Sequence, residues 1–111
     1  MTARWYIAGP MTGLPDLNFP AFHERAAELR AAGFEVENPA EINPDPSAGW
    51  EACMRKDIPR LCTCDAILLL PGWEKSRGAR LEALIARELG LMVVEYHPEG
   101  ASAPRAEVAA C

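Results

Sequence analysis

The 111-residue sequence predicts an α/β fold of the Rossmann or flavodoxin type, three layers deep, with a parallel sheet of four to five strands and helices on both faces. Three observations predict it. Short apolar runs alternate with stretches of helical periodicity, the mark of βαβ units. One run, "DAILLL" at 65–70, is apolar almost throughout, as a central strand buried on both faces must be. Finally, the loops after the first and third runs, "GPMTG" (9–13) and "PGWEKSRG" (71–78), both carry glycine. Strand order 2-1-3-4 places the topological switch between strands 1 and 3. Ligands of such sheets bind at that switch, outside the carboxyl ends of the strands. Both glycine-bearing loops then meet at one place.

The elements follow in order. "RWYIAG" (4–9) is a buried strand closed by Gly-Pro. Asn18 stands as N-cap of a helix through about residue 32, with Pro20 in its first turn. Phe22, Ala26 and Leu29 repeat at helical spacing, and Gly33 closes the helix. "FEVEN" (34–38) alternates as a second strand. Three prolines and a glycine then predict a loop over 39–49. A helix over 50–61 follows, and an interior proline, Pro59, predicts a bend near 57–59. After the 65–70 strand, a helix runs from Ser76 to about 88, and "LMVVEY" (91–96) is the last strand. Residues 1–97 form one domain, and 98–111 read as a tail, loose or packed on a partner chain.

Composition narrows the function. Half the residues are hydrophobic, 24% are charged, and the net charge is −5, which argues against a nucleic-acid polymer as partner. No apolar stretch approaches a membrane span and none reads as a secretory leader, so the expected location is the cytoplasm and no membrane partner is expected. Cys53, Cys62, Cys64 and Cys111 lack metal-knuckle spacing, and His23 and His97 are isolated. The cysteines read as reduced thiols, with no metal.

The helix start "KSRGARLEALIARELG" (75–90) carries the chemistry. With Ser76 as cap, the first-turn N–H groups of Arg77, Gly78 and Ala79 lack intrahelical acceptors and suit an anion, assisted by Lys75, Arg77 and Arg80. A plain cap with solvated arginines reads equally well. On the helical wheel, Leu81, Leu84, Ile85 and Glu88 share one face, with Gly78, Glu82 and Leu89 along its edge. Glu82 is then either a boundary side chain or a catalytic one. Asp65 falls at the amino end of its strand, as a cap of the preceding turn. Asp57 has no clear place in the pattern, and a bend at Pro59 would turn it inward. Trp50, Trp73, Met11 and Phe22 serve either as core or as apolar surface for a flat base.

Together "YIAGPMTG", "CDAILLLPGW" and "SRGARLEALIA" resemble the nucleoside 2-deoxyribosyltransferase-like superfamily, in particular its small DUF4406-type branch. The resemblance covers about residues 4–95. It implies a Rossmann-like fold and cleavage of an N-glycosidic bond with no cofactor. It makes Glu82 the nucleophile that attacks C1′ to form a glycosyl-enzyme. Ser76, six positions earlier, matches the relatives that hydrolyse 2′-deoxynucleoside 5′-monophosphates, where the transferases carry aspartate. Tyr6 and the Gly9-Pro10-Met11-Thr12-Gly13 loop match the first ligand loop, with Pro10 in place of a serine. Asp57 matches the aspartate that assists departure of the base. Hydrolysis of a deoxynucleoside monophosphate is therefore the leading expectation. Base exchange and nucleotide binding without turnover are the alternatives. Relatives usually self-assemble, and an apolar patch on the 50–61 helix fits a homodimer or larger homo-oligomer.

Overall fold

The computed structural model describes residues 2–98 and the backbone of residues 105–107. Its strands form one sheet in the order β2-β1-β3-β4-β5. The first four, β1 (Arg4–Ala8), β2 (Glu35–Glu37), β3 (Ala66–Leu69) and β4 (Met92–Glu95), are parallel, in the expected order. A fifth strand, β5 (Arg105–Glu107), pairs antiparallel along β4, where no strand was expected. Its three residues are too few to show an alternating pattern. The rest of the expected tail, and Cys111 with it, lies outside the described residues.

Alternation along the strands sorts the core into two layers. Tyr6, Ala8, Ile67, Leu69 and Val93 meet Leu61 of α3 (Trp50–Leu61) and Ala79, Ala83 and Ala86 of α4 (Arg77–Glu88). On the opposite face, Ile7, Leu68, Leu70 and Val94 meet Phe22 and Ala26 of α1 (Phe19–Ala31) and Ala40 of α2 (Pro39–Ile42). β3, between β1 and β4, is buried at every position. Tyr6 therefore faces α3 and α4, and this parity decides what it can touch.

Several local expectations are corrected. The 39–49 stretch contains the short helix α2, because Asn38 accepts from the Ala40 N–H at 3.0 Å and Pro39 suits the first helical position. Asn18 precedes α1 but does not cap it with its side chain. Its Nδ2 instead donates to the Pro10 carbonyl at 3.0 Å, tying the first loop to the helix start. α3 runs unbroken from Trp50 to Leu61 through Pro59. The carbonyl this proline leaves unbonded belongs to Arg55, an exposed residue that water can reach. Asp57 thus faces inward without a bend. Asp65 caps no turn: its Oδ2 accepts from the Arg4 N–H at 2.8 Å, joining the amino ends of two strands.

The largest correction concerns α4. Its buried residues are Ala79, Glu82, Ala83 and Ala86, while Leu84 and Leu89 are 53% and 55% exposed. Small side chains let the helix axis approach the sheet closely, and this outweighs burying the larger leucines. The large side chains of α3, Met54 and Leu61, are turned inward, so the apolar patch expected there is not exposed.

At the switch point, a Cβ on Gly9 would stand 2.7 Å from the Leu70 Cβ. Only glycine lets the ends of β1 and β3 approach this closely. Gly9→Ala is expected to lower unfolding free energy by about 1–3 kcal/mol in chemical denaturation, the usual cost of overpacking. An unchanged midpoint would show that the strand ends yield without strain.

Candidate active site

A cleft of about 440 Å³ opens at the carboxyl ends of β1 and β3. Its walls come from five places. Gly9, Pro10, Met11 and Thr12 follow β1; Leu17, Phe19 and Phe22 belong to the entry and first turn of α1. Asn43, Asp45 and Pro46 follow α2, and Trp50, Cys53, Met54 and Asp57 line it from α3. Ser76, Arg77, Gly78, Ala79 and Glu82 come from the start of α4.

At its base lies Glu82, only 5% exposed, on the alanine face of α4. The Tyr6 hydroxyl, fully buried beneath, donates to Glu82 Oε2 at 2.5 Å. Asp57, also 5% exposed, accepts at Oδ1 from Asn43 Nδ2 at 2.7 Å. Two buried acids, each with a neutral donor, thus face one cleft.

The start of α4 is as expected in outline. Ser76 caps the helix, and its Oγ accepts from the Ala79 N–H at 3.2 Å. That bond uses one of the three N–H groups expected to face an anion, leaving those of Arg77 and Gly78. The Arg77 guanidinium lies 3.6 Å above the Trp50 ring, a cation–π contact joining the starts of α3 and α4. Gly78 keeps the two helices close, since a Cβ there would lie 3.3 Å from both Met54 Sδ and Trp50 Nε1. Lys75 and Arg80 are exposed and do not line the cleft. Arg80 instead donates to the Glu74 carbonyl.

Three expected site residues do not line the cleft. Trp73 packs against the α3/α4 core layer with Arg87 over its ring, because the turn at 73–75 directs it away from the cleft. Gly13 is exposed beyond the rim. Tyr6 supports Glu82 from below rather than lining the wall. Conversely, Asn43, Asp45, Leu17 and Phe19 line the cleft without having been singled out. The signal for Asn43 was the cap-and-proline pattern "NPAEIN", which sets where α2 ends. For Leu17 there was none. Asp16, Leu17 and Asn18 take φ of 52°, 52° and 60°, a left-handed run that non-glycine side chains disfavour by roughly 1–2 kcal/mol per residue. The Leu17 N–H to Leu14 carbonyl bond and the Asn18 bond to Pro10 hold it there.

The family model for DUF4406, a domain of unknown function, matches residues 3–95. The chain belongs to the DUF4406 family. Among solved structures, this DUF4406 domain is similar to the 2-deoxyribosyltransferase of Bacillus psychrosaccharolyticus, with TM-score 0.68 and 20% identity over 90% of this chain and 76% of that one. It is also similar to a 2-deoxyribosyltransferase from Leishmania mexicana, with TM-score 0.66 and 22% identity over 85% of this chain and 63% of that one. It thus spans less than two thirds of the second neighbour. These likenesses establish a shared Rossmann-like fold. No curated protein matches the sequence.

The electrostatics of the DUF4406 cleft follow from burial. Burial pushes the Glu82 carboxyl up to about 8; the charge of Asp57 adds to this and the Tyr6 hydrogen bond opposes it. Asp57 rises to about 6, again through burial, with the Asn43 bond and Lys56 opposing. The Tyr6 phenol is held well above its ordinary value by burial and by both acids. Around neutral pH the two acids therefore hold about one proton between them. Among the described residues no cluster of His, Cys, Asp and Glu is arranged to hold a metal ion, and no helix is long and apolar enough to cross a membrane.

A carboxyl whose pKa rises on folding stabilises the fold below its unfolded value, near 4.5 for Glu82, and that stability is lost as pH climbs through about 8. Glu82→Gln keeps an acceptor for Tyr6 and removes the titration. The variant is expected to exceed wild type by on the order of 3 kcal/mol at pH 9 and to match it near pH 4.5. Denaturation curves at the two pH values check this, and parallel pH dependences would contradict it.

Proposed function

We propose that this DUF4406 domain is an N-glycosidase that releases the base from a 2′-deoxynucleoside 5′-monophosphate through a glycosyl-enzyme on Glu82. The observation that carries the reading is the paired burial of Glu82 and Asp57 at one cleft, each held by a neutral donor. Such an arrangement lets two carboxyls share one proton and divide the roles of nucleophile and acid between them.

In this reading a Glu82 oxygen bonds to C1′ as the C1′–N bond breaks, and the bonding pair leaves with the base. Asp57 supplies the proton that the departing nitrogen requires. Positive charge developing on the sugar stabilises the ionised form of Glu82, so the shared proton resides on Asp57 at the moment of need. Water then attacks C1′, returns a proton to Asp57 and frees the Glu82 carboxylate. The Tyr6 hydroxyl holds Glu82 in one orientation throughout.

The free N–H groups at the start of α4, the Ser76 hydroxyl and Arg77 support a phosphate on the sugar's 5′ side. Phe19, Phe22, Met11, Met54 and Trp50 supply apolar surface for a base. Base exchange is the second reading, favoured by the 2-deoxyribosyltransferases that share the fold; there an incoming base replaces the water. Self-association belongs to the same proposal, since Leu84, Leu89 and Met92 leave large apolar surface that a second copy would cover.

Chromatography of a panel of deoxynucleosides, their 5′-monophosphates and the matching ribonucleotides tests the reading. Base is expected from the deoxynucleoside monophosphates, with Glu82→Ala slower by at least about a thousandfold, the scale seen when a nucleophile is removed. Release only when a second base is present would select the transferase. Binding without release from any substrate would defeat both.

A further inference from the structure

The short helix α2 and the residue that ends it have no part in the reaction as described so far. Asn38, fully buried, caps α2 through the Ala40 N–H, and its Nδ2 lies 3.3 Å from His23 Nδ1 of α1. The far end is equally defined: the Asn43 N–H donates to the Pro39 carbonyl at 2.9 Å. That single turn delivers the Asn43 side chain, 9% exposed, to the cleft. There its Nδ2 donates to Asp57 Oδ1 at 2.7 Å, the one side-chain hydrogen bond of that acid among the described residues.

From this geometry we infer that Asn43 is a positioning residue, which occupies Asp57 Oδ1 so that the acid carries and delivers its proton through Oδ2. An amide N–H can only donate, so a proton on Oδ1 would clash with it, and the proton is confined to the other oxygen. The same bond fixes the carboxyl plane, since Asp χ2 is otherwise broad. The departing nitrogen takes the Oδ2 proton as the C1′–N bond breaks, and water restores it in the second step. The identity of this reaction rests on the glycosidase reading; the grip of Asn43 on Asp57 does not.

Removing the donor has a definite sign. Hydrogen bonding from Asn43 holds Asp57 down against its burial, so its loss moves Asp57 further up. The other charged or titratable groups facing Asp57 are Lys56 and Cys53 on its own helix, Glu82 on α4 and Tyr6 on β1. Asp45 and Arg77 line the same cleft. Asn43→Leu, of similar volume, changes none of them.

Two measurements on the full chain test the inference. The first follows the ¹³C-carboxyl resonance of Asp57 through a pH titration in wild type, Asn43→Leu and the smaller Asn43→Ser. The ionisation constant of Asp57 is expected to fall about tenfold in Asn43→Leu, one pH unit upward, which is a modest hydrogen-bond effect. An unmoved midpoint in both variants overturns the inference. The second compares release of a natural base with release of an activated phenolate from an aryl 2-deoxyriboside 5-phosphate, a leaving group that needs no proton. Asn43→Leu is expected to slow base release tenfold or more, with its acid-to-alkaline profile shifted upward. Phenolate release should stay within about twofold, as for any step that bypasses general acid catalysis. Equal losses on both substrates would mark Asn43 as merely structural. If wild type releases neither group, the glycosidase reading fails, and the Asp57 titration alone decides what Asn43 does.

Discussion

A carboxylate buried at the carboxyl end of a parallel sheet constrains this molecule more than any other feature. Glu82 sits on the face of α4 that packs on the sheet, where a charged group is costly unless something donates to it. The Tyr6 hydroxyl meets that need from the strand below. For the bond to form, Tyr6 must occupy the α3/α4 side of β1, and the other buried residues of α4 must be small enough to bring the helix down to it. The alanines at 79, 83 and 86 satisfy the second condition, and the pleat of β1 satisfies the first. Leu84 and Leu89 are left outside as a consequence.

The two faces of the sheet divide the labour. Glu82, Asp57 and Tyr6 all belong to the α3/α4 side, close enough that Asp57 raises the proton affinity of Glu82 and both acids raise that of Tyr6. The α1/α2 side supplies Phe19, Phe22 and the loop after β1, and it closes the cleft with largely apolar surface beside Asp45. Asn43 joins the halves, leaving α2 on one side and reaching Asp57 on the other. Strain collects at the same rim, in the left-handed run from Asp16 to Asn18. Backbone held in such conformations usually marks a segment whose position matters more than its comfort.

At 20% and 22% identity, the shared fold with 2-deoxyribosyltransferases concerns the scaffold, and function must be argued from the site. The site here is organised around acids with few cations to balance them. Arg77 is the one lysine or arginine among the cleft-lining residues, and its guanidinium is already stacked on Trp50. An anion at the start of α4 would therefore lean on backbone N–H groups as much as on side-chain charge, which makes the closeness enforced by Gly78 part of the binding geometry.

Much was legible without coordinates. Strand order, the switch point and the boundaries of α3 and α4 follow from local periodicity and from apolar runs, because burial on one or both faces imposes those patterns residue by residue. Motif resemblance singled out Glu82, Asp57 and Tyr6 together, and a cap signal placed Ser76. What periodicity could not decide was which face of α4 is buried: a wheel ranks leucine above alanine, whereas helix-to-sheet distance favours the smaller residue. Nor could it rank the tryptophans, since Trp50 at the cleft and Trp73 against the core are equally apolar in sequence. The link from Asn43 to Asp57 joins residues fourteen positions apart through the end of a four-residue helix hidden among prolines. Local sequence determined the elements and their order; the distances between elements, and so the pairing of Tyr6 with Glu82 and of Asn43 with Asp57, were decided only when packing brought separate segments into contact.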